Sequence, residues 1–252
     1  SLERLRLDYV DLLAIHGINN DETLHQSVRP GGCLAMARQL QDEGLAGHIG
    51  FSTHGHRDTI IEAIQTEESG GFDYVNLHWY YIFRFNWPAI LEARKRDMGV
   101  FLISPTDKGG MLYNPSDRLK KLTEPLHPIV FNDLFCLDHP EVHTLSLGAA
   151  KPSDFDLHVE ATELFEKRKE YLPAILERLQ QEMEKTIGYN FIKKYHEGLP
   201  PWEETPGEIN IPVITWLYQL VKTFDMVEYG QMRYNLLGNA GHWFPGENAG
   251  EM

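Results

Sequence analysis

Leu7-Asp8-Tyr9-Val10-Asp11-Leu12-Leu13-Ala14-Ile15-His16-Gly17 is an apolar run that stops abruptly on a histidine. A run of this length and composition reads as a buried strand. In a parallel α/β barrel the residue at the carboxyl end of such a strand faces the mouth where chemistry takes place. A neutral imidazole there donates a hydrogen bond to a carbonyl oxygen or moves a proton near neutral pH. The plainer reading is a histidine that merely ends a strand beside Gly17 and Asn19.

Working outward, the alternation of strand and helix repeats with the same orientation cues. Leu34, Ala37, Leu40 and Leu45 form a helical stripe closed by Gly44 and Gly47. His48 to Phe51 reads as a short strand ending in Ser52-Thr53-His54-Gly55, and Arg57 to Gln65 as a helix with Ile60, Ile61 and Ile64 on one face. Phe72 to His78 is the next strand, Trp87 to Met98 the next helix, and Gly99 to Ser104 the strand after it. Pro128 to Leu137 reads as a helix, Val142 to Leu147 as a strand, and Pro152 to Phe165 as a helix with proline in its first turn. Such alternation predicts βαβ units and a parallel sheet. Five strands are legible where a closed barrel of this class needs eight. The expectation is therefore an incomplete (β/α)8 TIM barrel, about strands 4 to 8, in a chain that is a fragment missing its first three strands.

These same segments resemble the aldo/keto reductase family in order and spacing. Residues 1 to 16 resemble that family's third helix and fourth strand, Gly47 to His54 its fifth strand, Phe72 to His78 its sixth, and Gly99 to Pro105 its seventh. Gly109-Gly110-Met111-Leu112 stands where the family places a Gly-rich turn. Pro140-Glu141-Val142 with Leu147 to Pro152 resembles the eighth unit. The resemblance covers residues 1 to 165 and implies an NADP(H)-dependent oxidoreductase that moves hydride between the cofactor and a small-molecule carbonyl or alcohol.

Carried over position by position, the resemblance makes His16 the catalytic histidine, and Ser52 and Asn76 the residues that hold the nicotinamide carboxamide. Asn76 stands where glutamine is more usual, and Ile103 where an aromatic often stacks on the ring. Ser104, Lys108, Gly109, Gly110 and Gly148 fall at strand ends and loops expected to meet the cofactor, with the backbone N–H groups of Lys108, Gly109 and Gly110 cradling the pyrophosphate. Lys151 and Ser153 are expected at the adenosine 2'-phosphate, beside a helix start. Asp154 sits near the place of an arginine that often contacts this phosphate. The family's tyrosine acid, its lysine partner and an aspartate would lie before residue 1, so the chain alone is expected not to turn over. Without an acid, hydride transfer leaves an alkoxide unprotonated. Tyr80 and Tyr81 follow the wrong strand and read as aromatic rim residues.

After Glu166 the pattern becomes helical. Leu172, Ile175, Leu176, Leu179, Met183 and Ile187 share one side of a helix over 172–187, and Tyr189 to Tyr195 continues it. Gly198 to Pro212 reads as a loop, and Val213 to Tyr229 as a second strong helix. The division expected is thus a partial barrel over 1–165 and a helical C-terminal extension over 166–252. Residues 224–235 and Gly238 to Gly246 are similar to the approach to a ferredoxin-like segment found in one subgroup of the family, where clustered cysteines bind a [4Fe-4S] centre. Cys33 and Cys136 lack the close spacing a cluster needs, so any such cluster belongs to a longer parent.

Composition bounds the alternatives. The 252 residues are 42% hydrophobic, enough for one sizeable core with an appendage, and no apolar run approaches the roughly 18 residues of a membrane span. A net charge of −14, from 23 Lys plus Arg against 37 Asp plus Glu, repels phosphate backbones and argues against a nucleic-acid partner. Cysteine usage suits a reducing cytoplasm. His54-Gly55-His56 is the closest histidine pair and has no third ligand at metal-site spacing. Two other functions compete: a nucleotide-binding or interaction module without chemistry, and a barrel enzyme using Lys108 as a Schiff-base amine. The second is disfavoured because Lys108 reads as lying in a glycine turn rather than a desolvated interior. The open strand edges of a partial barrel predict self-association and poor solubility.

Overall fold

The computed structural model describes residues 2–195, 197–239 and 245–250. The chain divides into two compact units. The first holds the chain up to Trp79, Phe83–Ile103 and His139–Ser146, and the second holds Tyr80–Ile82, Ser104–Asp138 and the chain from Leu147 on. The boundary expected after residue 165 falls inside the second unit.

The first unit is a five-stranded parallel sheet whose strand order follows chain order: β1 (Val10–His16), β2 (Ala46–Ser52), β3 (Tyr74–Leu77), β4 (Gly99–Ile103) and β5 (Thr144–Ser146). Its helices are α1 (Leu2–Leu5), α2 (Asp21–Val28), α3 (Cys33–Asp42), α4 (Arg57–Gln65) and α5 (Trp87–Lys95). Side chains alternate across the sheet. Ile49, Phe51, Val75, Leu77, Val100 and Leu102 are fully buried and form one layer of the core with Leu34, Ile60, Ile64 and Ile90 from the helices. On the other face the Tyr74 and Phe101 rings meet at 5.2 Å. Gly50 makes room there, since a Cβ on it would lie 2.6 Å from the Tyr74 ring.

The opening stretch of sequence behaves differently from a buried strand. β1 is an edge strand paired only with β2, and none of its residues is buried. Leu7, Tyr9 and Leu12 are all more than 40% exposed. A strand buried on both faces and an apolar edge strand look alike in one dimension, which is why the sequence predicts an interior strand here. β5, at the opposite edge, is reduced to three residues.

An ion pair staples α3 to the strands. Arg38 donates two hydrogen bonds to the Asp73 carboxylate, at 2.9 and 2.8 Å, and a third to Gly71 O at 2.8 Å. Asp73 Oδ2 also accepts the N–H of Ile49 at 2.7 Å. Burial pushes the Asp73 carboxyl up, but the Arg38 and Ile49 bonds with the charges of Arg38 and His48 outweigh it and hold the group below the usual carboxylate range.

The second unit is helical: α6 (Asp117–Thr123), α7 (Pro128–Leu137), α8 (Asp156–Leu164), α9 (Arg168–Ile187), α10 (Tyr189–Lys194), α11 (Ile211–Phe224) and α12 (Val227–Leu236). α7 begins at the expected proline, with His127 Nδ1 accepting the Ile129 N–H, and is buried from Pro128 to Cys136. α9 buries Leu172, Ile175 and Leu179, the side its periodicity marked. Pro152 to Phe155 is a short 3-10 turn and only Asp156 onward is α-helical. The helix expected over Val213 to Tyr229 is two: Asp225, at φ 55°, takes a left-handed conformation that ends α11 and starts a new axis. Residues 240–244, the middle of the Gly238 to Gly246 segment, lie outside the described residues. Among the described residues no helix is long and apolar enough to cross a membrane.

Candidate active site

In the first unit, three of the expected site residues fall on one row of the sheet. His16 pairs in register with Ser52, and Ser52 with Asn76, at the carboxyl ends of three adjacent parallel strands. Register partners in a parallel sheet project to the same side, so the three side chains share a face. His16 is exposed, Ser52 buried and Asn76 half-buried, so the most buried of the three lies in the middle of the row. His16 Nδ1 and Ser52 Oγ are 2.8 Å apart, and the Gly17 N–H donates to Ser52 O at 3.1 Å and to Oγ at 3.3 Å. Ile103, the last residue of β4, is half-buried, and its carbonyl accepts from His78 Nδ1 at 3.2 Å. His78 packs edge-on against His54 at 4.6 Å, and the His54 N–H donates to Asn19 Oδ1 at 2.7 Å. Two histidines thus line strand ends beside the row, and the sequence singled out only His54 of the two.

The remaining expected residues lie in the second unit. Ser104, at φ 54°, opens a tight turn in which the Lys108 N–H bonds Ser104 O at 3.0 Å, and the Gly110 and Met111 N–H groups bond Asp107 O at 3.2 and 2.8 Å. Two of the three N–H groups expected to cradle a pyrophosphate therefore close the turn itself. The glycines answer the same need: a Cβ on Gly109 would sit 1.8 Å from Pro105 O, and one on Gly110, at φ 129°, 2.6 Å from Met226 Cε.

The Lys108 side chain departs from the solvated loop lysine that the sequence suggested. Burial lowers its amine to about 8, with the Arg233 charge acting in the same direction and Asp107 opposing. Tyr229 O–H donates to Lys108 O at 2.8 Å, and Arg233 lies over the Tyr229 ring at 5.2 Å and 3.5 Å from Asp107. Lys108 thus lies in the expected turn, with a half-buried rather than a solvated side chain.

Gly148, Lys151 and Ser153 are exposed. Asp154 Oδ2 accepts the N–H groups of Ala150 and Lys151, at 2.8 and 3.1 Å, so a carboxylate of this chain engages both donors. Tyr113 O–H joins the segment at Gly148 O, 3.1 Å away, and approaches His158 Nε2 at 3.4 Å. Behind it, buried His158 is hydrogen-bonded to buried Asp133. Burial raises the Asp133 carboxyl while its bond to His158 opposes that shift. Nothing in the sequence linked residues 113, 133 and 158, which come from a turn and two different helices.

No protein-family model matches the chain, and no curated protein matches it. Among solved structures, the holo form of aldo-keto reductase AKR11C1 from Bacillus halodurans matches with a TM-score of 0.56 at 21% identity, over 70% of this chain and 61% of that one. The apo form matches with a TM-score of 0.53 at 21% identity, over 69% and 64%. The chain thus spans about three-fifths of the length of these structures. At that identity the likeness concerns the backbone, and what it establishes is that this parallel α/β chain is related in fold to the aldo-keto reductases.

Proposed function

We propose that the chain is part of an NADP(H)-dependent aldo/keto reductase-like oxidoreductase, corresponding to strands 4 to 8 of an incomplete barrel with a helical C-terminal extension. The observation that carries this reading is the single row of His16, Ser52 and Asn76 at the carboxyl ends of β1, β2 and β3. That end of a parallel sheet is where barrel enzymes place their chemistry. The row also fits a nicotinamide: Asn76 offers a half-buried primary amide, complementary to a carboxamide, and Ser52 a hydroxyl beside it. Ile103 offers an apolar wall. When bound, the cofactor supplies hydride.

The residues of the chain do the rest. His16, exposed at the rim, orients a substrate carbonyl and stabilises by hydrogen bonding the negative charge that develops on its oxygen. Asn76 fixes the rotation of the carboxamide and hence which ring face is presented. In the second unit Lys108, Lys151 and Ser153 supply cations and a hydroxyl for the phosphates, with the Asp154 carboxylate working against a 2'-phosphate. The tyrosine acid belongs on this reading to a longer polypeptide, as does any iron–sulfur cluster, and the chain alone binds nucleotide without turnover.

Quenching of tryptophan fluorescence by NADPH and NADH tests the proposal. Saturable quenching that weakens in Asn76→Ala, with no carbonyl reduction by the chain alone, is expected. Absence of saturable binding of either nucleotide refutes it.

A further inference from the structure

The polar contacts at the carboxyl end of β2 can be balanced donor by donor. Ser52 Oγ has one proton and two lone pairs. One lone pair accepts the Gly17 N–H at 3.3 Å. The contact to His16 Nδ1 at 2.8 Å then has two possible senses. If Nδ1 carried the ring proton, it would fill the second lone pair and leave the hydroxyl proton of a 7% exposed serine with no acceptor among the described residues. If the hydroxyl donates to a bare Nδ1, both contacts are made and the serine proton has its acceptor. A buried donor left unmade costs more than a made hydrogen bond returns, so the second sense is favoured.

We infer that Ser52 is a positioning residue for His16, pinning the imidazole in the tautomer that carries its proton on Nε2. The inference rests on reading His16 as the group that meets the carbonyl. The chain of contacts runs from the Gly17 N–H to Ser52 Oγ, from the Ser52 hydroxyl to His16 Nδ1, and ends at an outward Nε2–H. That end is a hydrogen-bond donor, the polarity a carbonyl oxygen with growing negative charge requires. The opposite tautomer would present a lone pair and repel it. The Gly17 N–H is held against Ser52, so the residue after the histidine takes part in orienting it.

Long-range proton–nitrogen correlation spectra of the labelled chain, recorded well above the ordinary imidazole range, test this directly. His16 is assigned by the signals missing from His16→Gln. The expected spectrum has a pyridine-type Nδ1 and a pyrrole-type Nε2. Ser52→Ala is expected to lower the ratio of Nε2–H to Nδ1–H about three- to tenfold, the worth of one hydrogen bond. Ser52→Thr, which keeps the hydroxyl, is expected to restore it. A pyrrole-type Nδ1 in the unmodified chain overturns the inference without any variant having to fold. An unchanged ratio in folded Ser52→Ala overturns it as well. Because the spectrum contains no nucleotide, its outcome is separate from the binding result: a chain that fails to bind nicotinamide nucleotides refutes the reductase reading while leaving the tautomer result standing.

Discussion

The Arg38–Asp73 staple gives the sharpest stability prediction. Asp73→Ala removes two charge-assisted bonds from Arg38 and leaves the N–H of fully buried Ile49 without its acceptor. The unpaired N–H costs about 1–3 kcal/mol. The ion pair adds only about 1 kcal/mol, because the side chains of Arg38 and Asp73 are 18% and 29% exposed and water resolvates Arg38. The total, about 2–4 kcal/mol, is to be read as a shift in the urea midpoint at constant slope, followed by circular dichroism. Asp73→Asn keeps an acceptor for Ile49 and should cost about half as much. The pH dependence has a definite sign. Asp73 titrates below its unfolded value of 3.8, so its contribution is full above that value and disappears as pH falls through the lowered folded value. The gap between the unmodified chain and Asp73→Ala should therefore hold from pH 7 to about pH 5 and narrow below about pH 4. A loss under about 0.5 kcal/mol, or a gap that widens in acid, refutes the reasoning.

Further outcomes follow from the second unit and from the exposed edge. Gly109→Ala should cost about 1–3 kcal/mol, since its Cβ meets a backbone oxygen that has no rotamer to escape into, whereas Gly148→Ala, with open space around it, should be near neutral; thermal melts compare them. Asp154→Ala frees the Ala150 and Lys151 N–H groups, so the ratio of NADP+ to NAD+ affinity should rise on the order of tenfold in fluorescence titrations, and an unchanged ratio removes Asp154 from any role in phosphate selection. The Lys108 amine, lowered to about 8, should be acylated ahead of Lys120 and Lys169 when mapped by mass spectrometry, with a rate midpoint near that value; trapping with a carbonyl and borohydride on the same residue would favour Schiff-base chemistry. Sedimentation should show self-association driven by Leu7, Tyr9, Leu12, Met36 and Leu40, and a monomer at high concentration would count against it.

The alternation of elements was legible because each strand is a short apolar run stopped by a polar or small residue, and because Pro128 and the Arg57–Gln65 stripe mark helices unambiguously. α2 escaped notice: among its eight residues only Leu24 and Val28 are aliphatic, and its start is written in the reciprocal Asn20–Thr23 cap rather than in periodicity. α6 is similar, announced by Ser116 capping Leu119. The break at Asp225 carries no glycine or proline. In the candidate site, the row of His16, Ser52 and Asn76 was accessible because strand ends are countable. The engagement of Ser52 with His16 was not, since it depends on the register between β1 and β2. The glycine turn has two readings for a related reason: Gly109 closely approaches Pro105 O within its own loop, and sequence alone does not separate that from close approach to a ligand.

The insertion of the segment 104–138 between β4 and β5 has a kinetic consequence. β1 to β4 are joined by shorter helical crossovers, α2 with α3, then α4, then α5, and can assemble vectorially, each strand docking onto its predecessor soon after it leaves the ribosome. β5 arrives after 40 intervening residues, of which 104–138 belong to the other unit, a larger loop-closure cost. It then contributes only Thr144, Leu145 and Ser146 to the ladder with β4. Amide exchange should therefore be fastest in this strand of the sheet, which would be the last to lock during folding and the first to peel away under load.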